Sequence, residues 1–381
     1  MDSFLRAARA KQNQMIASMR ELVECESPSG DPAALDRFAK LFSRQVGDIA
    51  GVKRFDGGHL RCEFSLPAAR KKTGQLLALG HSDTVWPMGT LQTMPFRQSR
   101  GRLWGPGVLD MKAGLVFFVF AMRILRELDI PAVKRVVLQI NADEETGSQS
   151  SRALTEEAAR RSEAVLVLEP GTGLEGKVKT ARKGVGDYRV TVRGQAAHAG
   201  LDFEKGANAV LEMARQVQRI ATFTRLDRGV TVSPGVIHGG TRSNVVPAVC
   251  QVEIDVRAPR AADGRYLQRQ FASLKPFDKR CTIEVAGGLN RPPMERSAAV
   301  RKLFVTARKL AAEIGVDLEE SASGGGSDGN FTAALGVPTL DGLGAVGEGA
   351  HAPHESILIH RIADRTALLA KLVATLGAAL P

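Results

Sequence analysis

The sequence predicts an α/β chain whose mostly parallel sheet with flanking helices is interrupted by an inserted α+β segment of ferredoxin-like, split βαβ type. Three observations carry this. Short apolar segments at residues 75–80, 136–141 and 164–168 alternate with helical patterns, as strands buried on both faces of a parallel sheet do. Between about residues 184 and 286 the pattern changes to strict alternation, the mark of half-exposed strands. The length, 381 residues, exceeds what one hydrophobic core usually spans and favours two domains. The expected bounds are 1–183 with 289–381 for the first domain and 184–288 for the insert.

In chain order, Phe4, Met15, Ile16, Met19, Leu22 and Val23 recur at helical intervals until Ser27-Pro28-Ser29-Gly30 breaks the pattern. A second helix, 32–46, follows Asp31 as its cap. The three strands come next, with a long apolar helix at 113–128 between the first two. In the insert Tyr188, Val190 and Val192 alternate with Arg189, Thr191 and Arg193, and Val252, Ile254 and Val256 with Glu253, Asp255 and Arg257. Helices at 206–220 and 261–274 and strands near 230–238 and 282–285 complete the order β-α-β-β-α-β. After Arg291-Pro292-Pro293 a helix at 297–314 and an extended segment at 337–340 return the chain to the first domain.

Composition narrows the function. Hydrophobic residues at 44% and charged residues at 24% are ordinary globular usage, which argues against a disordered or fibrous chain. The longest apolar run, 113–122, is about half of the roughly 20 residues a membrane helix needs. The N-terminal stretch carries Asp2 and polar residues throughout, without the apolar core of a secretory signal, so a cytoplasmic protein is expected. Cys25, Cys62, Cys250 and Cys281 lack C-x-x-C spacing and read as buried thiols. A net charge of +11 suits anionic partners. The basic residues, however, fall in short dispersed groups such as Arg70-Lys71-Lys72 and Lys177, Lys179, Arg182, Lys183. With aromatics at 5%, neither nucleic acid nor membrane is expected as a partner; a small carboxylated substrate is.

The residues just beyond the strands point to chemistry. The first strand runs into His81-Ser82-Asp83, the second into Asp143-Glu144-Glu145 and the third into Glu169. Ligands of open parallel sheets gather beyond the carboxyl ends of the strands, so one edge receives a histidine and several carboxylates. Zinc favours these donors. The candidates His81, Asp83, Asp110, Glu144, Glu145, Glu169, His351, His354 and Glu355 are too many for one ion and suit a two-metal hydrolase.

Several motifs, in order, resemble one family. They are Gly80-His81-Ser82-Asp83-Thr84-Val85, the stretch Gly105-Pro106-Gly107-Val108-Leu109-Asp110-Met111-Lys112-Ala113-Gly114, Asp143-Glu144-Glu145-Thr146-Gly147-Ser148, and Glu169-Pro170. Later in the chain come Ala197-His198-Ala199-Gly200, Gly324-Gly325-Gly326-Ser327-Asp328 and Gly349-Ala350-His351. Together they resemble the co-catalytic zinc amidohydrolases and peptidases, the family of bacterial glutamate carboxypeptidase, acetylornithine deacetylase, succinyl-diaminopimelate desuccinylase and aminoacylase. The motifs are closest to the first. The resemblance implies a zinc exopeptidase-like catalytic domain with the insert as a dimerisation or lid domain.

Carried over by position, the resemblance implies two Zn2+ per subunit, replaceable by Co2+ or Mn2+. His81, Asp110 and Glu169 would hold one and Asp110, Glu145 and His351 the other, with Asp110 bridging. Asp83 would accept the second N–H of the His81 ring, and Glu144 would be the general base toward the attacking water. His198 of the partner subunit would steady the oxyanion, which requires a homodimer built through the insert. Asn244 would bind polar groups of the substrate and Arg291 its carboxylate. The backbone of the loop at Gly325, Gly326 and Ser327 would offer N–H groups to the same anion. His354 stands where family members often carry Asp or Asn, and is expected to line the pocket or lie behind the ligands. His59, His238 and His360 are expected to be structural. The activity implied is a carboxypeptidase of the glutamate-releasing type. An N-acyl-amino-acid deacylase is the alternative, and a metal-stabilised carboxylate-binding protein without turnover is the rival from another class.

Overall fold

The computed structural model describes residues 1–67 and 74–378, so the basic group Arg70-Lys71-Lys72 lies outside the described residues. The chain divides into two compact units. Unit 1 comprises 1–181, 296–322 and 327–381, and unit 2 comprises 182–295 with 323–326. Against the expected insert of 184–288, unit 2 reaches a few residues further at each end and takes in a tetrapeptide from the glycine-rich loop.

Unit 1 is built on a six-stranded sheet in the order Ala50–Arg54, Leu60–Phe64, Arg135–Asn141, Gln75–His81, Ala164–Val167, Thr339–Leu340. The last four strands run parallel, and the first two form an antiparallel hairpin on one edge. Strand Gln75–His81 sits among these and is buried along its whole length. Its side chains divide by parity: Leu76 and Ala78 join the large core beneath the long helices, while Leu77 and Leu79 meet Ala158, Ala159, Val165 and Val167 on the other face. Helix Ala113–Glu127 is buried on nearly every side, which accounts for its lack of a polar face.

The hairpin was not expected, although buried Leu60, Cys62 and Phe64 alternate with half-buried Arg61 and exposed Glu63, as in a strand with one covered face. The sequence expectation also read one N-terminal helix where there are two, Ser3–Ala10 and Gln12–Glu24, parted at Lys11, whose ammonium pairs with Glu127 at 2.5 Å. Helix Pro32–Val46 begins as read, with the Asp31 carboxylate accepting the N–H of Ala34 at 3.0 Å. No helix among the described residues is long and apolar enough to cross a membrane. The four cysteines are free thiols, three of them buried and Cys25 half-buried.

Unit 2 carries a four-stranded antiparallel sheet in the order Thr231–Gly239, Val249–Ala258, Gly184–Arg193, Thr282–Arg291. Helices Ala209–Ala221 and Ala261–Ala272 supply Met213, Ile220, Leu267 and Phe271 to its core, against Tyr188, Val190, Val192, Val252, Ile254 and Val256. The β-α-β-β-α-β order is the one that the alternating residues predict, because each alternation places one set of side chains under the helices.

Candidate metal centre

Three parallel strands of unit 1 end side by side, and the residues beyond them converge. His81 closes strand Gln75–His81, Glu144 and Glu145 begin a short turn after Arg135–Asn141, and Glu169 follows Ala164–Val167 by two residues. Asp110 comes from the loop that leads into helix Ala113–Glu127. That helix can press on the neighbouring strand end because residue 114 is glycine: a Cβ there would lie 2.2 Å from the carbonyl oxygen of Leu168. His351 arrives on a tight turn after Gly349, with φ of +61°, an uncommon left-handed conformation for a residue with a Cβ. The turn is fixed by the N–H of Ala352 on Gly349 O at 2.8 Å and that of Glu355 on Ala352 O at 2.9 Å.

Two triads of potential ligand atoms result, His81, Asp110 and Glu169, and Asp110, Glu145 and His351, the atoms of each lying within 4.8 Å of one another. His81 Nε2 stands 3.1 Å from Asp110 Oδ1 and 3.5 Å from Glu169 Oε1. His351 Nε2 stands 3.3 Å from Asp110 Oδ2 and 3.3 Å from Glu145 Oε1. One carboxylate thus faces both imidazoles, an oxygen to each. Imidazole nitrogen with carboxylate oxygen is a donor set that fits zinc, cobalt or manganese.

The electrostatics agree with a site built for cations. Burial works against a charged His81, yet hydrogen bonds to Asp110, Asp83 and Glu169 hold it protonated well above the usual histidine range. Bonds to Asp110 and Glu145 raise His351 to about 10. Burial opposes ionisation of Asp110, but the two imidazoles keep its carboxyl below the ordinary range. Glu145 moves up, burial outweighing the pull of His351. Packed carboxylates here draw positive charge onto whatever is available.

Asp83 is placed differently from expectation. The ring Nδ1 of His81 meets the backbone carbonyl of Asp83 at 2.9 Å, whereas the nearer carboxylate oxygen is 3.5 Å away. Nδ1–H on that carbonyl turns Nε2 toward the carboxylates of Asp110 and Glu169. The buried carboxylate of Asp83 instead accepts the N–H groups of Glu144 at 3.2 Å and Glu145 at 3.1 Å and the hydroxyl of Ser29 at 2.8 Å. Asp83 thereby aims the Glu144–Glu145 turn. Ser29 had no signal in the sequence. His59 is buried and structural, its Nδ1 accepting the N–H of Ala142 at 3.0 Å and its Nε2 meeting Ser150 Oγ at 3.0 Å.

Of the remaining candidates in unit 1, His354 is exposed and belongs to neither triad, and Glu355 is buried behind Asp110. Ser327, expected near the substrate, is fully buried. Its hydroxyl donates to Asp341 Oδ2 at 2.6 Å and accepts the N–H of Gly329, and its own N–H goes to Asn330 Oδ1 at 3.0 Å. Its polar groups are committed inside the unit, so Ser327 acts in the fold.

In unit 2, His198 and Asn244 come together. Ala197–His198 pairs with Val245–Val246, and the N–H of Ala199 donates to Asn244 O at 3.0 Å. Both side chains are exposed, and His198 Nδ1 accepts the N–H of Gly200 at 3.1 Å, leaving Nε2 outward. Arg291 is buried at the end of its strand, packed so closely on Gly326 that a Cβ there would lie 2.7 Å from Arg291 Cδ. The carbonyls of Gly325 and Gly326 accept from Arg182 at 3.2 and 3.0 Å, and the N–H of Gly325 donates to Ser323 Oγ at 3.2 Å.

Known proteins resemble the chain in sequence and others in fold. Carboxypeptidase G2 of Pseudomonas sp. (strain RS-16) is 28% identical over 385 residues, covering 98% of this chain and 91% of the relative. A succinyl-diaminopimelate desuccinylase of Cereibacter sphaeroides (strain KD131 / KCTC 12085) is 29% identical, covering 94% and 97%. Among solved structures the aminopeptidase PepT of Bacillus cereus ATCC 10987 superposes with a TM-score of 0.77 at 24% identity, over 96% of this chain and 99% of that one, a likeness of fold. A model of peptidase family M20/M25/M40 matches residues 77–375, which takes in every member of both triads; the chain belongs to this family of metal-dependent peptidases and amidohydrolases and is a hydrolase.

Proposed function

We propose that the protein releases a carboxy-terminal amino acid from an amide, in the manner of a glutamate carboxypeptidase, using two zinc ions per subunit. The observation that carries the reading is Asp110, whose two oxygens face two separate imidazoles. His81, Asp110 and Glu169 would hold one ion and Asp110, Glu145 and His351 the other. Bound there, such ions polarise a carbonyl and acidify water.

The protein's own groups do the rest. Glu144 belongs to neither triad, and Asp83 anchors its backbone beside Glu145. It takes a proton from the water that attacks the carbonyl carbon and delivers it to the nitrogen as the C–N bond breaks, leaving an acid and a free amine. General acid–base help of this kind contributes about 10²- to 10⁴-fold. His198 of the partner subunit donates to the oxyanion from its outward Nε2, which requires a homodimer built through unit 2. Arg291 clamps the carboxylate of the departing amino acid, with the backbone at Gly325 and Gly326 and the Asn244 amide as further polar contacts. Ser327 is not part of this contact set.

An N-acyl-amino-acid deacylase is the second reading. The likeness to a succinyl-diaminopimelate desuccinylase supports it. A panel of N-acyl glutamates, aspartates and dipeptides on zinc-loaded protein, scored by amino acid released, separates the two. Highest turnover on glutamate carrying an aryl or peptidyl acyl group supports the carboxypeptidase, and preference for acetyl or succinyl groups overturns it. The Glu144→Ala variant should retain both zinc ions and lose activity; an active variant sinks the base assignment.

A further inference from the structure

The loop that carries Asp110 is held from behind by one side chain. Glu355 is completely buried, and each of its oxygens accepts two N–H groups. Oε1 takes those of Leu109 at 2.8 Å and Asp110 at 3.1 Å, and Oε2 takes those of Gly107 at 2.9 Å and the Trp86 indole at 2.8 Å. Gly107 is left-handed, with φ of +71°, and a Cβ there would lie 2.6 Å from Thr84 Cγ2. Left-handed backbone at this point lets the N–H groups of Gly107, Leu109 and Asp110 converge on one centre, while that of Val108 goes to Gly105 O; the result is an anion-binding concavity whose anion is a side chain of the same protein.

The donors come from separate segments. Trp86 belongs to the loop that follows His81 and Asp83, Gly107 to Asp110 form the loop of the shared carboxylate, and Glu355 itself lies four residues after His351. Strand Ser356–Leu358 then pairs with Arg102–Trp104, which leads into the Asp110 loop. One buried carboxylate therefore ties together three of the segments that supply both triads.

We propose that Glu355 is a positioning residue of the metal centre: its four-donor hub fixes the Asp110 loop so that the two oxygens of Asp110 point to different imidazoles. The proposal rests on the two-ion reading above. Four acceptor sites on two oxygens match four donors, which a glutamine cannot do, since its amide nitrogen would face two N–H groups. An aspartate keeps the charge and falls short by one methylene. The residue touches none of the atoms assigned to the ions, so its loss should act through affinity and geometry.

The experiment titrates metal-free wild type, Glu355→Gln and Glu355→Asp with zinc alone against a competing chelator. Cobalt spectra then report each position, and kcat and KM are measured on the loaded enzymes. Expected are a roughly 10- to 100-fold loss of affinity for at least one ion in Glu355→Gln, a smaller loss in Glu355→Asp, altered cobalt bands, and a fall in kcat larger than the change in KM. A folded Glu355→Gln with wild-type affinity at both positions and unchanged cobalt bands overturns the proposal. If that variant does not fold, Glu355→Asp decides by the same criteria; if neither folds, Trp86→Phe, at a half-buried ring, decides, weakened binding supporting the hub and unchanged binding refuting it. His351→Ala serves as the control: should it keep wild-type binding of two ions, the two-ion reading fails, whatever Glu355 does.

Discussion

Unit 1 holds its candidate ligands from behind, whereas His198 and Asn244 of unit 2 face outward. Behind the triads two buried carboxylates are held by several donors of the same unit: Asp83 by two backbone N–H groups and Ser29, and Glu355 by four N–H groups. His198 and Asn244 sit on a two-stranded ladder with exposed side chains. Under the proposed function the contrast follows from what each region would bind. Ion coordination tolerates little displacement and needs a rigid surround, whereas contacts to a substrate or a second subunit form on arrival.

The largest effect that would test this contrast is at Asp110. Asp110→Asn removes the charge that both imidazoles face, so both ions should be weakened together and kcat/KM should fall by at least about 10³, the several kcal/mol that metal assistance supplies. Metal analysis beside kinetics checks it. Loss of one ion alone would mean that the triads do not share Asp110. Stripping metal from wild type should speed amide exchange in residues 75–81 and 135–145 and leave the sheet of unit 2 unchanged.

His198→Ala should cost about 10² to 10³ in kcat with full metal content, the usual effect of losing one oxyanion donor. Mixing it with Glu144→Ala sharpens the test. If His198 serves the partner subunit, randomly reassorted dimers regain about a quarter of wild-type activity, because half of the dimers are mixed and each has one complete site. No recovery on mixing would refute a role across the subunit boundary. A smaller change is expected at Arg291: Arg291→Lys should raise KM about 10- to 100-fold for substrates with a free carboxylate, through loss of paired bonds to a charged group. The corresponding amide substrates should show no change.

Much of this arrangement could be read from residues alone, for a physical reason. Strand ends in parallel sheets are fixed by apolar segments, and Gln75–His81, Arg135–Asn141 and Ala164–Val167 carry their polar residues immediately afterwards. What the spacing could not convey was the identity of each acceptor. Asp83 reads as a partner of the His81 ring because it stands two residues away, yet its carboxylate goes to N–H groups some sixty residues on. Ser327 reads as a loop hydroxyl open to substrate, and burial against Asp341 is a tertiary fact. Glu355 reads as one more carboxylate near a histidine; the donors that claim it lie about 250 residues earlier in the chain.

The smallest predicted effect concerns the packing that lets unit 1 converge at all. Gly114 begins the helix behind Asp110, and the helix lies so close to strand Ala164–Val167 that the space for a Cβ is taken by Leu168 O. Backbone cannot yield as a flexible side chain can. Gly114→Ala should therefore push the helix from the strand end and cost roughly 1–3 kcal/mol of stability, as overpacking does. The gain in helix propensity, at most about 1 kcal/mol, offsets only part of this. Because Asp110 stands just before the helix and Glu169 just after the strand, zinc affinity should fall together with the melting temperature. Unit 2 should keep its amide protection. A Gly114→Ala protein that is less stable yet binds zinc as tightly as wild type would show that the helix start and the strand end do not set the distance between these two ligands.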